Sequence, residues 1–174
     1  SKDAERKKKE QDLVSLYDGY YGKISRYIFV RIGDQAEAED LASEVFLKAL
    51  KSLDSYQERG LPMHSWLFRI AHNLVVDHLR KVSKQRMVSL DTVEIADPAN
   101  PEEITETRLQ VERLTATLKY LPPPEREVIG LRFFAGLSAA EAGKILGKSS
   151  GAVRQMQCRA LRSLRKAMGE EGCK

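Results

Sequence analysis

Apolar positions recur at intervals of three and four residues over most of the chain, the period of helices with one buried face. The first such pattern runs from Leu13 through Leu16, Tyr17, Tyr20, Tyr21, Ile24, Tyr27 and Ile28 to about Ile32, and Gly33-Asp34 ends it. A second, Ala36 to Leu53, carries a stripe of Ala38, Leu41, Ala42, Val45, Phe46, Ala49, Leu50 and Leu53. Glu37, Asp40, Glu44, Lys48 and Lys51 lie on its other side. Tyr56 to Met63 contains Gly60 and Pro62 and is expected to be a loop. A third helix starts near His64 and Ser65 and continues to about Lys84. It buries Leu67, Ile70, Ala71, Leu74 and Val75, while Arg69, Asn73, Asp77 and Arg80 follow one another along a polar face. No stretch alternates like a strand, and no repeat of fixed period is present.

The periodicity stops from Val88 to about Ile104, where Pro98 and Pro101 sit in an acidic stretch that reads as a linker. Twenty extended residues reach at most about 70 Å. The expected architecture is therefore all-α, with two small helical domains, residues 12–87 and 105–174, joined by an acidic linker at 88–104. Residues 1–11 are Lys-rich, of mixed charge and have nothing to bury, so frayed helix or disorder is expected there.

Thr105 to Tyr120 is again amphipathic, through Leu109, Leu114 and Leu118, and Pro122-Pro123-Pro124 breaks it. Pro124 is tolerated in the first turn of the next helix, expected over Glu125 to Ala135, because its missing N–H is not needed there. The punctuation that follows is specific. Gly136-Leu137-Ser138 closes one helix and opens another, and Ser138 with Glu141 has capping-box spacing. A short helix over Ala142, Ile145 and Leu146 ends at Gly147, and Ser149 or Ser150 caps the last helix. That helix, Ala152 to about Met168, turns Val153, Met156, Ala160, Leu161 and Leu164 inward and Arg154, Gln155, Arg159, Arg162 and Arg165 outward. Two helices joined by a glycine-containing turn form a helix-turn-helix, whose second helix reads the major groove.

Charge sharpens this picture. The net charge of +4 is modest, but Ala142 to Gly169 has seven Lys or Arg and no acid, whereas Asp91 to Glu106 has six acids and no base. No apolar run approaches the roughly eighteen residues of a membrane span. Lys7-Lys8-Lys9 is followed by Glu10-Gln11-Asp12 and not by a secretory apolar core, so neither direct membrane insertion nor secretion is expected. Cys158 and Cys173 are too few for a disulfide framework. Reduced cytoplasmic thiols are expected, with Cys158 buried or half-buried.

His64, His72 and His78 are the only histidines, and they make no H-x-x-x-H pair and have no cysteine cluster beside them. No glycine-rich phosphate loop and no nucleophile beside a base is recognisable. Catalytic residues, metal ligands and cofactors are therefore not expected.

Two motif sets in this order resemble a known family. The first is Glu39-Asp40-Leu41-Ala42-Ser43-Glu44-Val45-Phe46-Leu47-Lys48-Ala49, then Ser65-Trp66-Leu67-Phe68-Arg69-Ile70-Ala71-His72-Asn73 and Asp77-His78-Leu79-Arg80. The second runs from Leu121-Pro122 through Arg126, Leu131-Arg132, Gly136-Leu137-Ser138, Glu141 and Leu146-Gly147 to Gly151-Ala152-Val153-Arg154 and Arg159-Ala160. Together, over about residues 12–168, they are similar to bacterial RNA polymerase sigma factors of the small, two-domain extracytoplasmic function group.

The resemblance implies a transcription initiation factor for a stress or envelope regulon. Region 2, in the first domain, would bind the clamp helices of the largest polymerase subunit and melt the minus-ten element. Region 4, in the second, would bind the minus-thirty-five element as duplex and contact the polymerase flap. An anti-sigma factor would hold such a protein inactive. Carried over residue by residue, polymerase contact falls on Asp40, Ser43, Glu44 and Leu47, with Ser43 standing where the family more often has Gln.

Minus-ten reading falls on Arg69, Asn73, Asp77 and Arg80 and on the Tyr56 to Met63 loop. Asn73 suits a base edge, Asp77 an amino group, and the arginines phosphates. Trp66 is expected in the core, and Met63 in place of a common aromatic would soften the pocket. Minus-thirty-five reading falls on Arg154, Gln155, Cys158 and Arg159, with Ser149 and Ser150 near phosphates. Gln155-Met156 replaces the commoner Ser-Arg pair, and Ala142-Gly143 replaces a usual Ile-Ala, which is expected to loosen the first helix of the pair. A stand-alone two-domain helix-turn-helix regulator is the alternative, but it gives no reason for the Asp40 and Asn73 motifs together.

Overall fold

A computed structural model describes residues 1–57, 60–88 and 106–169. The acidic linker and Cys173 lie outside them. The described residues form seven α-helices, with no strand among them: α1 Lys2–Ile32, α2 Gln35–Lys51, α3 Met63–Val88, α4 Glu106–Leu118, α5 Pro123–Ile129, α6 Ala139–Leu146 and α7 Ser150–Ala167. A 3-10 turn, Leu53–Ser55, follows α2, and a π-turn, Gly130–Phe134, follows α5.

Local caps set the join of the first two helices. Gly33 takes a left-handed conformation with φ 80° and donates its N–H to the Phe29 carbonyl at 2.7 Å. Asp34 then accepts the Glu37 N–H at 3.1 Å, so α2 folds straight back along α1. Ala38, Ala42 and Ala49 are buried on α2, and their small size lets the two backbones approach. Leu67, Phe68, Ala71, Leu74 and Val75 of α3 complete this core. Leu50, expected inside, is 44% exposed, because the chain leaves α2 into the 3-10 turn and buries Leu53 in its place.

The beginning of the chain differs from expectation. Residues 2–12, expected to fray or be disordered, belong to α1 and reach tertiary partners described below.

In the second half, Pro122 is the N-cap of α5, and Pro123 and Pro124 occupy its first turn. Arg126 donates to the carbonyls of Lys119 and Leu121 at 3.2 and 2.9 Å and so closes the end of α4 across the proline run. The helix expected to run to Ala135 changes register at Gly130, whose carbonyl accepts from Ala135 at 2.9 Å. Gly130 faces the fully buried Tyr27 ring, and a Cβ there would lie 3.0 Å from Tyr27 Cε2.

The two halves pack along α1. Val30 is buried with Leu118, Leu121, Ile129, Ala160 and Leu164, so α1 contributes to the apolar clusters on both sides.

Candidate nucleic-acid interface

Asp40, Ser43, Glu44 and Leu47 are all exposed at positions i, i+3, i+4 and i+7 of α2, forming one continuous face. Leu47 is 58% exposed at its end, so the face combines two carboxylates, a hydroxyl and an apolar contact.

Arg69, Asn73, Asp77 and Arg80 are likewise exposed and aligned on α3. Asp77 and Arg80 form an ion pair at 3.8 Å, exposed enough that water and salt compete with it easily. Arg69 stands at the rim of a pocket of about 270 Å³ lined by Ser55, Tyr56, Gln57, Gly60, Leu61 and Trp66. The Tyr56 and Trp66 rings lie 4.8 Å apart, and the Tyr56 hydroxyl donates to the Leu61 carbonyl at 3.0 Å, tying the two ends of the loop together. Trp66 packs against the core, as expected, and also forms a pocket wall. Met63 is buried at the start of α3. An aromatic wall with a hydroxyl, an amide and a guanidinium around it suits a planar polar group next to an anion.

The helix-turn-helix has the expected punctuation. Ser138 accepts the Glu141 N–H at 3.1 Å while the Glu141 carboxylate accepts the Ser138 N–H at 3.3 Å. Ser149 is the cap of α7, accepting the Ala152 N–H at 3.1 Å, and Ser150 is its first helical residue. Ser149 therefore keeps its O–H as the group available to a phosphate. Arg154, Gln155, Cys158 and Arg159 are all exposed. The exposure of Cys158 corrects the expectation of a buried or half-buried thiol. The inward face of α7 is Val153, Met156, Ala160 and Leu164, and Cys158, two residues from Ala160, points the other way. Arg132 donates to Gln157 at 2.8 Å and to the Leu137 carbonyl at 2.6 Å, fixing α7 against the preceding segment.

Contacts between the halves reach these sites. Glu141 of α6 pairs with His64 at 3.2 Å and also accepts from Ser65. Burial pushes its carboxyl pKa up, but hydrogen bonds from Ser65 and Ser138, with His64 close by, outweigh this and hold it below the ordinary value. Lys144 lines the pocket and donates to the Gly60 carbonyl, while Arg69 donates to the Lys144 carbonyl at 3.3 Å. Arg31 pairs with Glu127 at 3.7 Å, and burial raises the Glu127 carboxyl more than Arg31 lowers it. Arg69, Glu141, His64 and Ser65 stood out in the sequence for other reasons, but none of these pairings did, nor did the contacts of Lys9 discussed below, since each joins residues far apart in the chain with no spacing rule.

Two family descriptions match the chain: Sigma-70 region 2 over residues 16–85 and Sigma-70, region 4 over residues 117–166. The ECF RNA polymerase sigma factor BldN of Streptomyces coelicolor is 36% identical over 160 residues, which cover 90% of this chain and 60% of BldN. The ECF RNA polymerase sigma factor SigX of Bacillus subtilis is 32% identical over 165 residues, 91% of this chain and 84% of SigX. The fold matches that of the sigma factor RpoE in its co-crystal structure with the anti-sigma factor NepR from Bartonella quintana. The TM-score is 0.76 at 22% identity, over 93% of this chain and 99% of RpoE.

Proposed function

Because this chain belongs to the extracytoplasmic function group of RNA polymerase sigma factors, we propose that it binds core RNA polymerase and directs it to promoters through two DNA elements. The observation that carries the reading is the presence of three separate, exposed helix faces, each with the chemistry its role requires.

The α2 face, Asp40, Ser43, Glu44 and Leu47, docks on the polymerase clamp helices. Its carboxylates suit a basic coiled coil, and Leu47 supplies the apolar contact. The α3 face and the adjoining pocket take the minus-ten element. Unstacking a base costs a few kcal/mol, which stacking and hydrogen bonds in a pocket offset. Asn73 and Asp77 read base edges, and Arg69 and Arg80 hold phosphates.

The basic α7 lies in the major groove of the minus-thirty-five element. Arg154 and Gln155 are the base readers, each bidentate contact giving about 1–3 kcal/mol of discrimination. Cys158 and Arg159 flank them, and Ser149 and Ser150 lie at the phosphates. The second domain also contacts the polymerase flap. An anti-sigma factor is the expected regulatory partner, as NepR is for the RpoE whose fold this chain shares. No described helix is long and apolar enough to cross a membrane, and the protein acts in the cytoplasm by binding, without a catalytic residue, on a stress or envelope regulon.

The test is binding of the full chain to bacterial core polymerase, with Asp40→Arg and an Asn73→Ala, Asp77→Ala double variant beside the wild type. Asp40→Arg is expected to lower polymerase affinity at least tenfold, on the scale of a charge reversal at an interface. The double variant is expected to bind polymerase normally and to fail in promoter opening. A folded wild type that does not bind core polymerase would overturn the reading.

A further inference from the structure

The Sigma-70 region 2 match begins at residue 16, so the first four turns of α1 lie outside it. Two side chains there reach the segment that leads into the base-reading loop. Arg6 bonds Asp54 at 2.6 Å, Glu10 at 3.0 Å and the Leu50 carbonyl at 3.3 Å. Lys9 donates to the Tyr56 carbonyl at 2.9 Å and the Leu53 carbonyl at 3.4 Å. Lys7 and Lys8 are exposed, whereas Arg6 and Lys9 are half-buried, so the Lys-rich run is not a uniform solvated face. We propose that Lys9 is a positioning residue for the minus-ten loop, which makes the N-terminal part of α1 a component of the promoter-opening apparatus. The proposal rests on the sigma reading above.

The argument follows the chain of contacts. Leu50 lies in the last turn of α2, where the backbone dipoles favour a cation, and the Leu53 carbonyl, which accepts the Tyr56 N–H at 3.2 Å, keeps a second lone pair for the ammonium. An ammonium has three donors and no preferred plane, so it can take two converging carbonyls at once. Tyr56 is where this clamp meets the pocket. Its carbonyl is held by Lys9, its hydroxyl bonds the Leu61 carbonyl, and its ring lies on Trp66. One residue thus fixes both ends of the loop and one wall of the pocket, and Lys9 fixes that residue. Loss of Lys9 frees the start of the loop while leaving the α2 face and the helix-turn-helix untouched.

The experiment uses the full chain with core polymerase on promoters selected from a random library by wild-type holoenzyme. Lys9→Met keeps the aliphatic stem and removes the donors, Lys9→Arg restores them, and Lys8→Met is the neighbouring control. Polymerase affinity, strand opening reported by a fluorescent base at the minus-ten element, and the ranking of promoters with single minus-ten substitutions are measured. Lys9→Met is expected to bind polymerase as wild type does and to open promoters about tenfold less, the scale of one charge-assisted hydrogen bond. It is also expected to flatten the ranking of minus-ten variants, an effect that uniform destabilisation does not produce. Lys9→Arg recovers most of the opening, and Lys8→Met matches wild type.

Tyr56→Phe, which cuts the link to Leu61 from the other side, flattens the same ranking and keeps the test decisive should Lys9→Met fold poorly. Wild-type opening and ranking in both Lys9→Met and Tyr56→Phe would overturn the proposal, as would a loss of opening matched by an equal loss of polymerase binding. A wild type that neither binds polymerase nor opens any selected promoter instead overturns the sigma reading, and that result is visible before any variant is tested.

Discussion

At the scale of single residues, His72 is a group that the fold accommodates poorly. It is 9% exposed on α3, its Nδ1 has no hydrogen-bond partner among the described residues, and burial together with the nearby Arg31 guanidinium lowers its pKa to about 4. In the unfolded chain an imidazole titrates near pH 6.5. Between these values the unfolded chain takes up a proton that the fold refuses. The stability associated with the neutral ring is therefore fully present above about pH 6.5 and is lost as pH falls toward about 4, by as much as about 3 kcal/mol. Replacing the imidazole by an apolar side chain of similar size, His72→Leu, removes this titration. The fall in unfolding free energy between about pH 7.5 and about pH 5, measured by urea denaturation, is expected to be smaller in the variant by about 2 kcal/mol. An equal fall in both proteins would show that His72 is not the source. In the sequence His72 was one member of the Ser65 to Asn73 motif. Its burial follows from the i+4 spacing to Phe68 on the inward side of α3, but the approach of Arg31 depends on how α1 crosses α3 and has no local signature.

At the scale of elements, the helix-turn-helix holds a close approach that composition suggested would be a weakness. Gly143 donates nothing to the core, yet its carbonyl accepts the Lys148 N–H at 2.8 Å, and a Cβ on it would collide with the Lys148 carbonyl. The glycine permits the close turn between α6 and α7. Gly143→Ala gains helix propensity of about 1 kcal/mol but must displace backbone, and overpacking of this kind costs about 1–3 kcal/mol. The expected net result is a denaturation midpoint below wild type together with weaker minus-thirty-five duplex binding by the holoenzyme. A variant as stable as wild type would mean that the turn relaxes freely. The contrast between elements explains what was legible. Caps at Gly33-Asp34, at Ser138 with Glu141 and at Gly147 with Ser149 are decided within a few residues, so sequence spacing locates them. The π-turn at Gly130 answers to Tyr27, about a hundred positions earlier, and no local pattern announces it. The α2 and α3 faces were legible because exposure follows helical period, and the same rule applied to α7 places Cys158 outside. The partners of Lys9 and Lys144 were not, since long flexible side chains reach across the fold to backbone carbonyls that every residue carries.

At the scale of the whole molecule, the packing of the two halves conflicts with the proposed simultaneous use of both DNA elements. Arg69 donates to the Lys144 carbonyl, Lys144 lines the minus-ten pocket and bonds the Gly60 carbonyl, and Glu141 engages His64 and Ser65. One guanidinium nitrogen of Arg69 is committed to a carbonyl and Lys144 stands in the pocket wall, so a strand entering there competes with these contacts of α6. The seam itself is divided in strength. Val30 is buried among residues of α4, α5 and α7, an apolar contact of appreciable value, whereas the Arg31 and Glu127 pair sits where desolvation offsets much of its attraction. The linker between the halves, at most about 60 Å when extended, is long enough for them to part and reach separate elements of one duplex. Spin labels at Asp18→Cys on α1 and Ser163→Cys on α7, both exposed positions, report the separation once Cys158 and Cys173 are replaced by Ser. The free chain is expected to give one narrow, short distance. The promoter-bound holoenzyme is expected to give a longer one, because binding energy to polymerase and DNA has to exceed what the seam contributes. A distance unchanged between the free chain and an initiating complex would mean that Arg69 and the pocket remain covered during initiation, and the minus-ten strand would then have to be sought on another face of α3.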